Sequence, residues 1–523
     1  MACQSIQGRH RGQAPPLRRR PGRAALCLTV LTGGLLALGS CHRLPPAPSN
    51  AHTLRLGTQK TAETANVLAE KLSAEPLLVL DWHGRVVPRL ASEWRWLDHG
   101  RALSVQLRPG VQFHDGKPLT ASAVAAILRK NVRTDRAEGF RSLTSIETPN
   151  ELTLVFRLDH PDSFLVEAIA GALVMDEADP KVRTGPFKIL PRTPTVETER
   201  TPTIEAERNA AYYRGTPGLD RVEVTLYDTQ RAVFAAMMRG YVDMVPEVNP
   251  ESVEFLEGAS QFGMVASVRP FYIPLVFNLR HPILKRVEVR RALVQAIDRE
   301  EIVRQAMRGH ARIADDPIFP SHWAYTSVAK QHLYNPGAAR LALEAAGFPL
   351  RPPSTPGRMP SRFQLQCIFY NKDFQFERIA ILLQRQLEQV GVDLVLTSVD
   401  EATLTRRAAA GDFDSYVFQL TSGKSFDWTY RFWHSKGGYQ STGYSGADAA
   451  LNDLRTSYVD PDVRIAVANL RERFYEDVPA AFLAWPETTR AVDTRFDLGD
   501  HADPELFANP WQWRLSSTQK AAR

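Results

Sequence analysis

Few residues of the 523-residue chain combine a type and a spacing that could do chemistry. Asp412 and Asp414 lie two apart, so on an extended segment their carboxylates would share one face. We expect a structural role for both, because carboxylates at turns commonly accept local backbone hydrogen bonds. The 13 histidines are scattered, and none pairs with another at the spacing of metal ligands.

The short motifs of common enzymes are absent from the sequence. It contains no Gly-x-Ser-x-Gly elbow, no His-Glu-x-x-His and no Cys-x-x-Cys. We therefore predict that the protein is not an enzyme and that it has neither a cofactor nor a resident metal.

The first forty residues have the composition of an export signal. They hold six arginines, followed by an apolar run at 24–38 that is shorter than the roughly twenty residues of a membrane-spanning helix. The sequence Leu-Gly-Ser-Cys ends this run at Cys41 and resembles the site at which bacterial lipoproteins are cut and lipidated. We predict a signal peptide at 1–40 and a lipidated tether at 41–52; a plain signal anchor is the alternative.

Removal of this signal changes both the charge and the cysteine content. The formal net charge is +6, and residues 1–40 contain six Arg but no Lys, Asp or Glu, so the remainder is balanced. A folded nucleic-acid-binding domain needs a basic patch, and no such excess remains. Of the four cysteines, Cys367 alone stays in the folded part, so the mature chain has no internal disulfide.

The stretch 107–121, LRPGVQFHDGKPLTA, has local causes for each of its turns. Pro109-Gly110 and Asp115-Gly116 favour turns, and Thr120 suits the N-cap of a following helix. As a whole it resembles the signature of family 5 of the extracellular solute-binding proteins, which serve ABC importers of oligopeptides, dipeptides and nickel. The pattern Val-Val-Pro-x-Leu-Ala-x-x-Trp at 86–94 extends the resemblance.

Three later segments match further patterns of this family. They are Thr-Gly-Pro-Phe at 184–187, where Arg183 replaces the usual Gly; Val287 to Ile302, predicted as one amphipathic helix; and Tyr334 to Phe348, with Pro at a helix start and Ala-Gly-Phe at its end. The residue pattern itself predicts a strand at 363–370, a helix at 376–390 and a strand at 392–396, which together form one α/β unit. The resemblance implies an α/β fold with two lobes and a hinge cleft. We expect lobe I at 53–275 and 486–523, with an inserted subdomain at about 76–183, and lobe II at 276–485.

Candidate ligand residues follow from where the family places its cleft. The chain would cross between lobes in the apolar run 270–278, which contains Tyr272 and Asn278. Tyr370 and Asn371 end a strand before a helix, where free amides face the cleft. Dipeptide-binding members carry an Arg near this point to hold a peptide carboxylate. In this chain Tyr370 and Asn371 stand near that position, and no Arg does.

A second candidate segment is TSGKSFDWTYRFW at 421–433. Family members use an Asp here to hold a peptide ammonium group, and Asp427 is its only carboxylate, although Asp427-Trp428 replaces the usual Asp-Pro. Trp428, Tyr430 and Trp433 would line a pocket. The alternative is equally open: Asp427 caps a helix, and the aromatic side chains pack beneath it.

The resemblance implies a substrate-binding component of an ABC importer that encloses a peptide or peptide-like solute and delivers it to permease subunits in the membrane. We expect a monomer, anchored through lipidated Cys41 in the periplasm or at the cell surface, with no nucleic-acid partner. His42 follows Cys41 at the position where the signal for retention in the inner membrane prefers Asp, so sorting to the inner or the outer membrane stays open. The alternative function is a lipoprotein of the same fold that does not transport, acting as a signalling partner or chaperone.

Overall fold

The computed structural model describes residues 52–61, 64–132, 137–176, 179, 181–191, 202–326, 330–352, 359–371, 373–499 and 504–517. The predicted signal peptide, Cys41 and nearly all of the predicted tether lie outside these residues. Among the helices of the described part, none combines the length and the apolar character that crossing a membrane requires.

Helices and strands alternate along the described chain, as predicted for an α/β fold. The helices are α1 (Thr64–Ser73), α2 (Ala121–Asn131), α3 (Phe164–Gly171), α4 (Gln230–Met238), α5 (Pro250–Glu257), α6 (Val287–Gln295), α7 (Arg299–Gln305), α8 (Pro336–Ala345), α9 (Phe374–Glu388), α10 (Glu401–Ala410), α11 (Phe426–Trp433), α12 (Asp448–Thr456) and α13 (Asp460–Asp477). Single 3-10 turns lie at Asp98–Gly100, Glu138–Phe140 and Pro510–Gln512.

The strands are short, apart from one near the end of the chain. They are β1 (Thr53–Gln59), β2 (Leu78–Leu80), β3 (Val86–Pro88), β4 (Ala91–Leu97), β5 (Ala102–Leu107), β6 (Leu143–Asn150), β7 (Thr153–Leu158), β8 (Phe187–Ile189), β9 (Ile204–Arg208), β10 (Arg221–Tyr227), β11 (Met244–Val248), β12 (Phe262–Val268), β13 (Phe271–Phe277), β14 (Ala311–Ile313), β15 (Phe363–Tyr370), β16 (Val392–Val399), β17 (Ser415–Val417), β18 (Leu420–Thr421), β19 (Ala480–Asp493), β20 (Phe496–Asp497) and β21 (Arg514–Leu515).

β19 belongs to two regions of sheet. Its first half pairs with β13 and β14, and β13 continues through β17 to the parallel pair β15 and β16. Its second half pairs with β11 and β12, and β11 leads through β1 to β10, β9 and β8. The apolar side chains of each region face their own helices and form separate buried clusters.

A separate antiparallel sheet in the order β4-β5-β7-β6 packs against α2 and α3. Its core contains Leu103, Val105 and Phe156, which alternate with outward-facing residues as expected for a sheet with one buried face. α2 begins as predicted, because the Thr120 hydroxyl accepts a hydrogen bond from the Ala123 amide at 3.3 Å. This sheet brings α3 to the edge of the cleft.

The single helix predicted over 287–302 is wrong. The structure has two helices, α6 and α7, separated at residues 296–298. Asp298 has extended backbone angles, and its side chain accepts from the Glu301 amide at 2.9 Å, so it caps a new helix. The side-chain amide of Gln386 also stabilises this break. Its oxygen accepts a hydrogen bond from the Asp298 backbone amide, and its nitrogen donates to the Glu301 carboxylate.

The two carboxylates of the Gly-Asp-Phe-Asp turn have separate structural partners. Asp414 accepts the Gln366 amide at 2.8 Å, whereas Asp412 forms an ion pair with Arg407 at 2.9 Å. Their structural interpretation is therefore the one that the geometry supports. The sequence from Val478 to Pro486 predicts a strand; in the structure, β19 begins at Ala480 and continues to Asp493, where it completes the second sheet region.

Candidate ligand-binding cleft

A cavity of about 790 Å³, called the cleft below, lies between residues 423–431 on one side and three facing segments, 71–89, 167–173 and 505–510, on the other. Its volume falls within the roughly 300–1,000 Å³ of small-molecule sites. The walls mix apolar residues such as Val79, Val87 and Phe507 with a few charged side chains. This composition suits a ligand held by burial and oriented by few polar contacts.

α11 presents Trp428 and Asp427 to the cleft. Ser425 begins this helix, because its hydroxyl accepts from the Asp427 amide at 3.1 Å. The helix buries Phe426, Tyr430 and Trp433 on its opposite side, where they recur at helical spacing. The alternative prediction for this segment is therefore right about the aromatic side chains, which pack beneath the helix, and wrong about Asp427, because the cap is Ser425.

The Asp427 carboxylate is paired inside the protein. It lies 2.7 Å from the Arg431 guanidinium one turn later and accepts the Glu138 amide at 2.7 Å. The Asp427 and Arg431 side chains are 10% and 8% exposed. Because both charges are buried together, the negative charge of Asp427 is compensated before any ligand arrives.

Trp428 is held in an aromatic stack. Its ring centroid lies 6.1 Å from that of Phe432 and 5.9 Å from that of Tyr439, at interplanar angles of 25° and 17°. The Arg431 guanidinium carbon lies 4.9 Å from the Trp428 ring. These contacts fix the indole in the cleft wall, so it offers a ligand a rigid apolar surface.

Glu167 reaches from α3 to the start of α11. Its carboxylate accepts the Ser425 hydroxyl at 2.7 Å and the Asp427 amide at 3.3 Å. Burial raises the pKa of Glu167 to about 8, and the nearby Asp427 charge raises it further. At neutral pH this carboxyl is therefore mostly uncharged, and it connects the two sides of the cleft as a neutral hydrogen-bonding group.

Glu75 and Arg89 occupy the facing wall. Glu75 accepts hydrogen bonds from the hydroxyls of Tyr212 at 2.7 Å and Tyr213 at 3.3 Å, and Arg89 lies 3.9 Å away. Burial raises the pKa of Glu75, and Arg89 partly opposes this. Arg89 also donates to the Ala508 carbonyl at 2.6 Å and so fixes the segment 505–510 against the wall.

Lys424 ties the two sides of the cleft together at its rim. Its ammonium group donates to the Leu80 carbonyl at 2.8 Å and pairs with Glu505 at 3.2 Å. Within the described residues, no group of three or more His, Cys, Asp or Glu side chains is arranged to hold a metal ion.

Of the predicted ligand residues, Asp427 and Trp428 line the cleft together. Tyr430 is buried on the other face of α11, with its ring 5.7 Å from that of Phe164. Tyr272 is also buried, and its hydroxyl accepts from the Trp433 indole at 2.8 Å. Neither tyrosine belongs to the cleft lining.

The remaining predicted residues also lie outside the cleft lining. Tyr370 packs against Phe418 with ring centroids 5.7 Å apart, and the neighbouring Asn371 is exposed and donates its backbone amide to Val399. Asn278 is buried, and its side-chain amide donates to the carbonyls of residues 411 and 413. Lys372, which follows Asn371, lies outside the described residues.

Several cleft residues were missed in the sequence, and some of them had a signal. Glu167 is the one charged residue in the apolar helix FLVEAIAG. A carboxylate in such a helix is rarely buried without a bonding partner, so its position was a signal. Arg431 follows Asp427 at the i,i+4 spacing of helical ion pairs. Glu75 and Arg214 had no comparable local signal, because distant segments bring them to the cleft.

The sequence matches the model of the bacterial extracellular solute-binding proteins, family 5 middle region, over residues 85–442. It is 26% identical over 465 residues to the oligopeptide-binding protein AppA of Bacillus subtilis, covering 82% of this chain and 83% of the relative. It is also 22% identical over 392 residues to the nickel-binding periplasmic protein of Escherichia coli, covering 69% of this chain and 72% of the relative.

Solved structures agree on the fold. AppA of Bacillus subtilis in complex with a nonapeptide has a TM-score of 0.69 at 22% identity and covers 89% of this chain and 99% of its own. CtaP of Listeria monocytogenes, a substrate-binding protein of an ABC transporter, has a TM-score of 0.76 at 20% identity and covers 88% and 99%. These similarities confirm the predicted two-lobed periplasmic-binding-protein fold.

Proposed function

The chain belongs to family 5 of the bacterial extracellular solute-binding proteins, and on that premise we propose that it is the substrate-binding component of an ABC importer. It would enclose a peptide or peptide-like solute and deliver it to permease subunits in the membrane. The names of its relatives support this role, since they include binding proteins for oligopeptides, glutathione and nickel. The family consists of solute-binding proteins of transporters and not of enzymes.

The cleft is the observation that carries this proposal. Its two walls come from distant parts of the chain and are bridged by Glu167, Lys424 and the bonds of Asp427 to Glu138. A ligand between them would add contacts to both sides and so favour the closed arrangement. We propose lobe I at 53–275 and 486–523, with the subdomain at about 76–183, and lobe II at 276–485.

The size of the cleft favours a ligand of a few residues. A volume of about 790 Å³ suits a molecule of the size of a short peptide. Trp428 and the apolar residues of the facing wall would contact the side chains of the ligand. Backbone groups such as those near Gly423 would form hydrogen bonds with its main chain. Of the ligand residues predicted from the sequence, we keep Asp427 and Trp428, which line the cleft on the α11 side.

Attachment to the membrane completes the proposed role. Family members are extracellular or periplasmic, and lipidation of Cys41 would hold this one next to its permease. We propose a monomer in the periplasm or at the cell surface, anchored by its lipid and joined to the folded part through residues 42–52.

Thermal unfolding against a panel of ligands tests the proposal. The panel contains di- to pentapeptides, nickel chelates and sugars. A ligand at a hundred times its dissociation constant stabilises the folded state by about 2.7 kcal/mol and raises the midpoint. The shift should shrink in Trp428→Ala and persist in Phe255→Ala, which removes an exposed ring outside the cleft lining.

Two results would contradict the proposal. A folded protein that no member of the panel stabilises would favour the lipoprotein of this fold that does not transport. A ligand that binds equally well to both variants would place its site elsewhere than in the cleft.

A further inference from the structure

We infer that the cleft selects a ligand with a free carboxylate and without a free ammonium group, and that Lys71 and Arg214 form its anion-binding subsite. The inference rests on the proposed function and specifies its ligand. The sequence resemblance to dipeptide-binding family members implied the reverse for Asp427, namely a carboxylate that holds an ammonium group. The distribution of charge in the walls argues for the anion instead.

Asp427 has no free charge to offer. The Arg431 guanidinium lies 2.7 Å from one of its oxygens, and the Glu138 amide donates to the other at 2.7 Å. An incoming ammonium group would have to share this carboxylate with a buried guanidinium 8% exposed. Two cations on one buried carboxylate leave an uncompensated positive charge, which is costly in an interior of low polarity.

The other carboxylates of the walls are occupied as well. Glu505 pairs with Lys424 at 3.2 Å, and Asp81 accepts the backbone amides of His83 and Arg85 at 2.9 Å each. These contacts hold the protein's own turns and rim. Glu505 is therefore compensated by a cation of the protein, and Asp81 has its Oδ1 engaged by the backbone of its own turn.

Glu75 and Glu167 are buried and bonded to the protein. Glu75 accepts from two tyrosine hydroxyls and lies 3.9 Å from Arg89, while Glu167 accepts from Ser425 and from the Asp427 amide. Burial raises the pKa of both carboxyls, for Glu167 to about 8. Both carboxyl groups are therefore engaged by donors of the protein itself.

Three cations of the lining, Arg89, Lys424 and Arg431, lie beside a carboxylate, whereas Lys71 and Arg214 are placed differently. Both line the cleft and are exposed, and within the described residues neither forms an ion pair. Their contacts there are with aromatic rings: the Lys71 ammonium lies 5.5 Å from the Phe507 ring, and the Arg214 guanidinium lies 5.2 Å from the Trp511 ring. An aromatic ring orients a cation without neutralising its charge.

Lys71 and Arg214 also belong to one part of the wall. Phe507 and Trp511, which they contact, lie four residues apart in the same terminal segment. Lys71 lies in the last turn of α1, four residues before Glu75, and Arg214 is close enough to Glu75 to lower its pKa, against the larger effect of burial. A ligand carboxylate placed there would meet two donors of positive charge.

Calorimetric titration with one tripeptide, Ala-Phe-Ala, in four end-group forms tests the inference. The forms are unmodified, N-acetylated, C-amidated and blocked at both ends. We expect the N-acetylated acid to bind at least tenfold more tightly than the C-amidated peptide with its free ammonium group. The preference should weaken at high salt, because Lys71 and Arg214 are exposed.

Charge-removing variants locate the subsite. Lys71→Gln with Arg214→Gln should weaken binding of the N-acetylated acid at least tenfold and leave the doubly blocked peptide unchanged. Lys285→Gln with Arg304→Gln removes two exposed cations outside the cleft lining and should change neither.

The outcomes separate the two proposals. Tighter binding of the C-amidated peptide than of the N-acetylated acid, or an unchanged preference in the Lys71 and Arg214 variant, would overturn the inference and leave the proposed function standing. Failure of every form to bind to the folded protein would count against a peptide-like ligand, and the inference would fall with it.

Discussion

The Arg455 guanidinium lies 2.6 Å from the Asp162 carboxylate, which is 0% exposed, and joins α12 to the turn before α3 across 293 residues of chain. The same carboxylate accepts the Ser142 hydroxyl at 2.8 Å, and Arg455 also donates to the Glu138 carbonyl. Glu138 is the residue whose amide binds Asp427. The pair therefore supports one side of the cleft from behind.

Removal of Arg455 should be costly. Arg455→Met leaves the Asp162 carboxylate buried without its cation, and we expect a loss of about 3–5 kcal/mol in the free energy of unfolding, measured by urea denaturation. Arg208→Met removes a partner from the exposed Arg208–Asp220 pair and should cost at most about 1 kcal/mol. Equal losses of unfolding free energy in the two variants would show that burial of the Asp162–Arg455 pair does not increase its contribution to stability.

The raised pKa of Glu167 makes stability depend on pH. The folded state keeps the proton up to about pH 8, whereas the carboxyl of an unfolded Glu has its ordinary pKa of 4.5. Between these values the folded state binds more protons, so stability is highest at the acidic end and falls as the pH rises, by at most about 1.4 kcal/mol per pH unit.

Glu167→Gln tests this linkage, because glutamine cannot titrate. Denaturation at intervals between pH 5 and pH 8 should give a flatter profile for this variant than for the parent. Glu93→Gln, at an exposed position on β4, serves as the control and should follow the parent. A variant of Glu167 with the parental slope would assign the pH dependence to other groups.

Gly185 should not tolerate a side chain. A Cβ atom there would lie 2.5 Å from the carbonyl carbon of Ser73, which is backbone and cannot turn away. We expect Gly185→Ala to lower the unfolding free energy by about 1–3 kcal/mol. Gly258→Ala, where nothing lies within 4 Å of the new atom, should be close to neutral; a comparable loss there would contradict the steric explanation.

Asp298 is predicted to hold the start of α7. Asp298→Ala removes the acceptor of the Glu301 amide and should cost about 0.5–2 kcal/mol by thermal or urea unfolding. Asp298→Asn keeps an oxygen at the same place and should retain most of the stability. If alanine and asparagine are equally harmful, capping is not the cause.

Arg431 should control which end of a peptide the cleft accepts. Arg431→Gln leaves the charge of Asp427 without its partner, so the free protein should lose stability and the cleft should gain affinity for the C-amidated tripeptide with its free ammonium group. In the double variant Arg431→Gln with Asp427→Asn, this gain should disappear. Titration calorimetry with the tripeptide forms measures both effects.

Local structure could be predicted where the cause lies within a few residues. Thr120 starts a helix because its hydroxyl reaches an amide three positions later, and the strand at 363–370 was predicted at its observed limits. The break before Asp298 was not predicted, since the apolar periodicity of α6 runs on into α7 and only the cap interrupts it. Short-range patterns in the sequence therefore predicted these elements, but they did not predict the boundary between α6 and α7.

The cleft could be predicted only in part, because its contacts join distant positions. Asp427 and Trp428 were found from their segment, yet the partners that settle their chemistry come from elsewhere. Glu167 meets Ser425 across 258 residues, and Glu75 meets Tyr212 across 137. No periodicity encodes such pairs, since they depend on how the sheets and helices pack.

The shared strand β19 also sets the order in which this chain can fold. Residues 480–486 complete one sheet region and residues 487–493 complete the other, so both regions depend on the same segment. Neither sheet region is complete until residues 480–493 have paired. Until β19 pairs, the strands beside it have open edges, and open strand edges can pair with other chains.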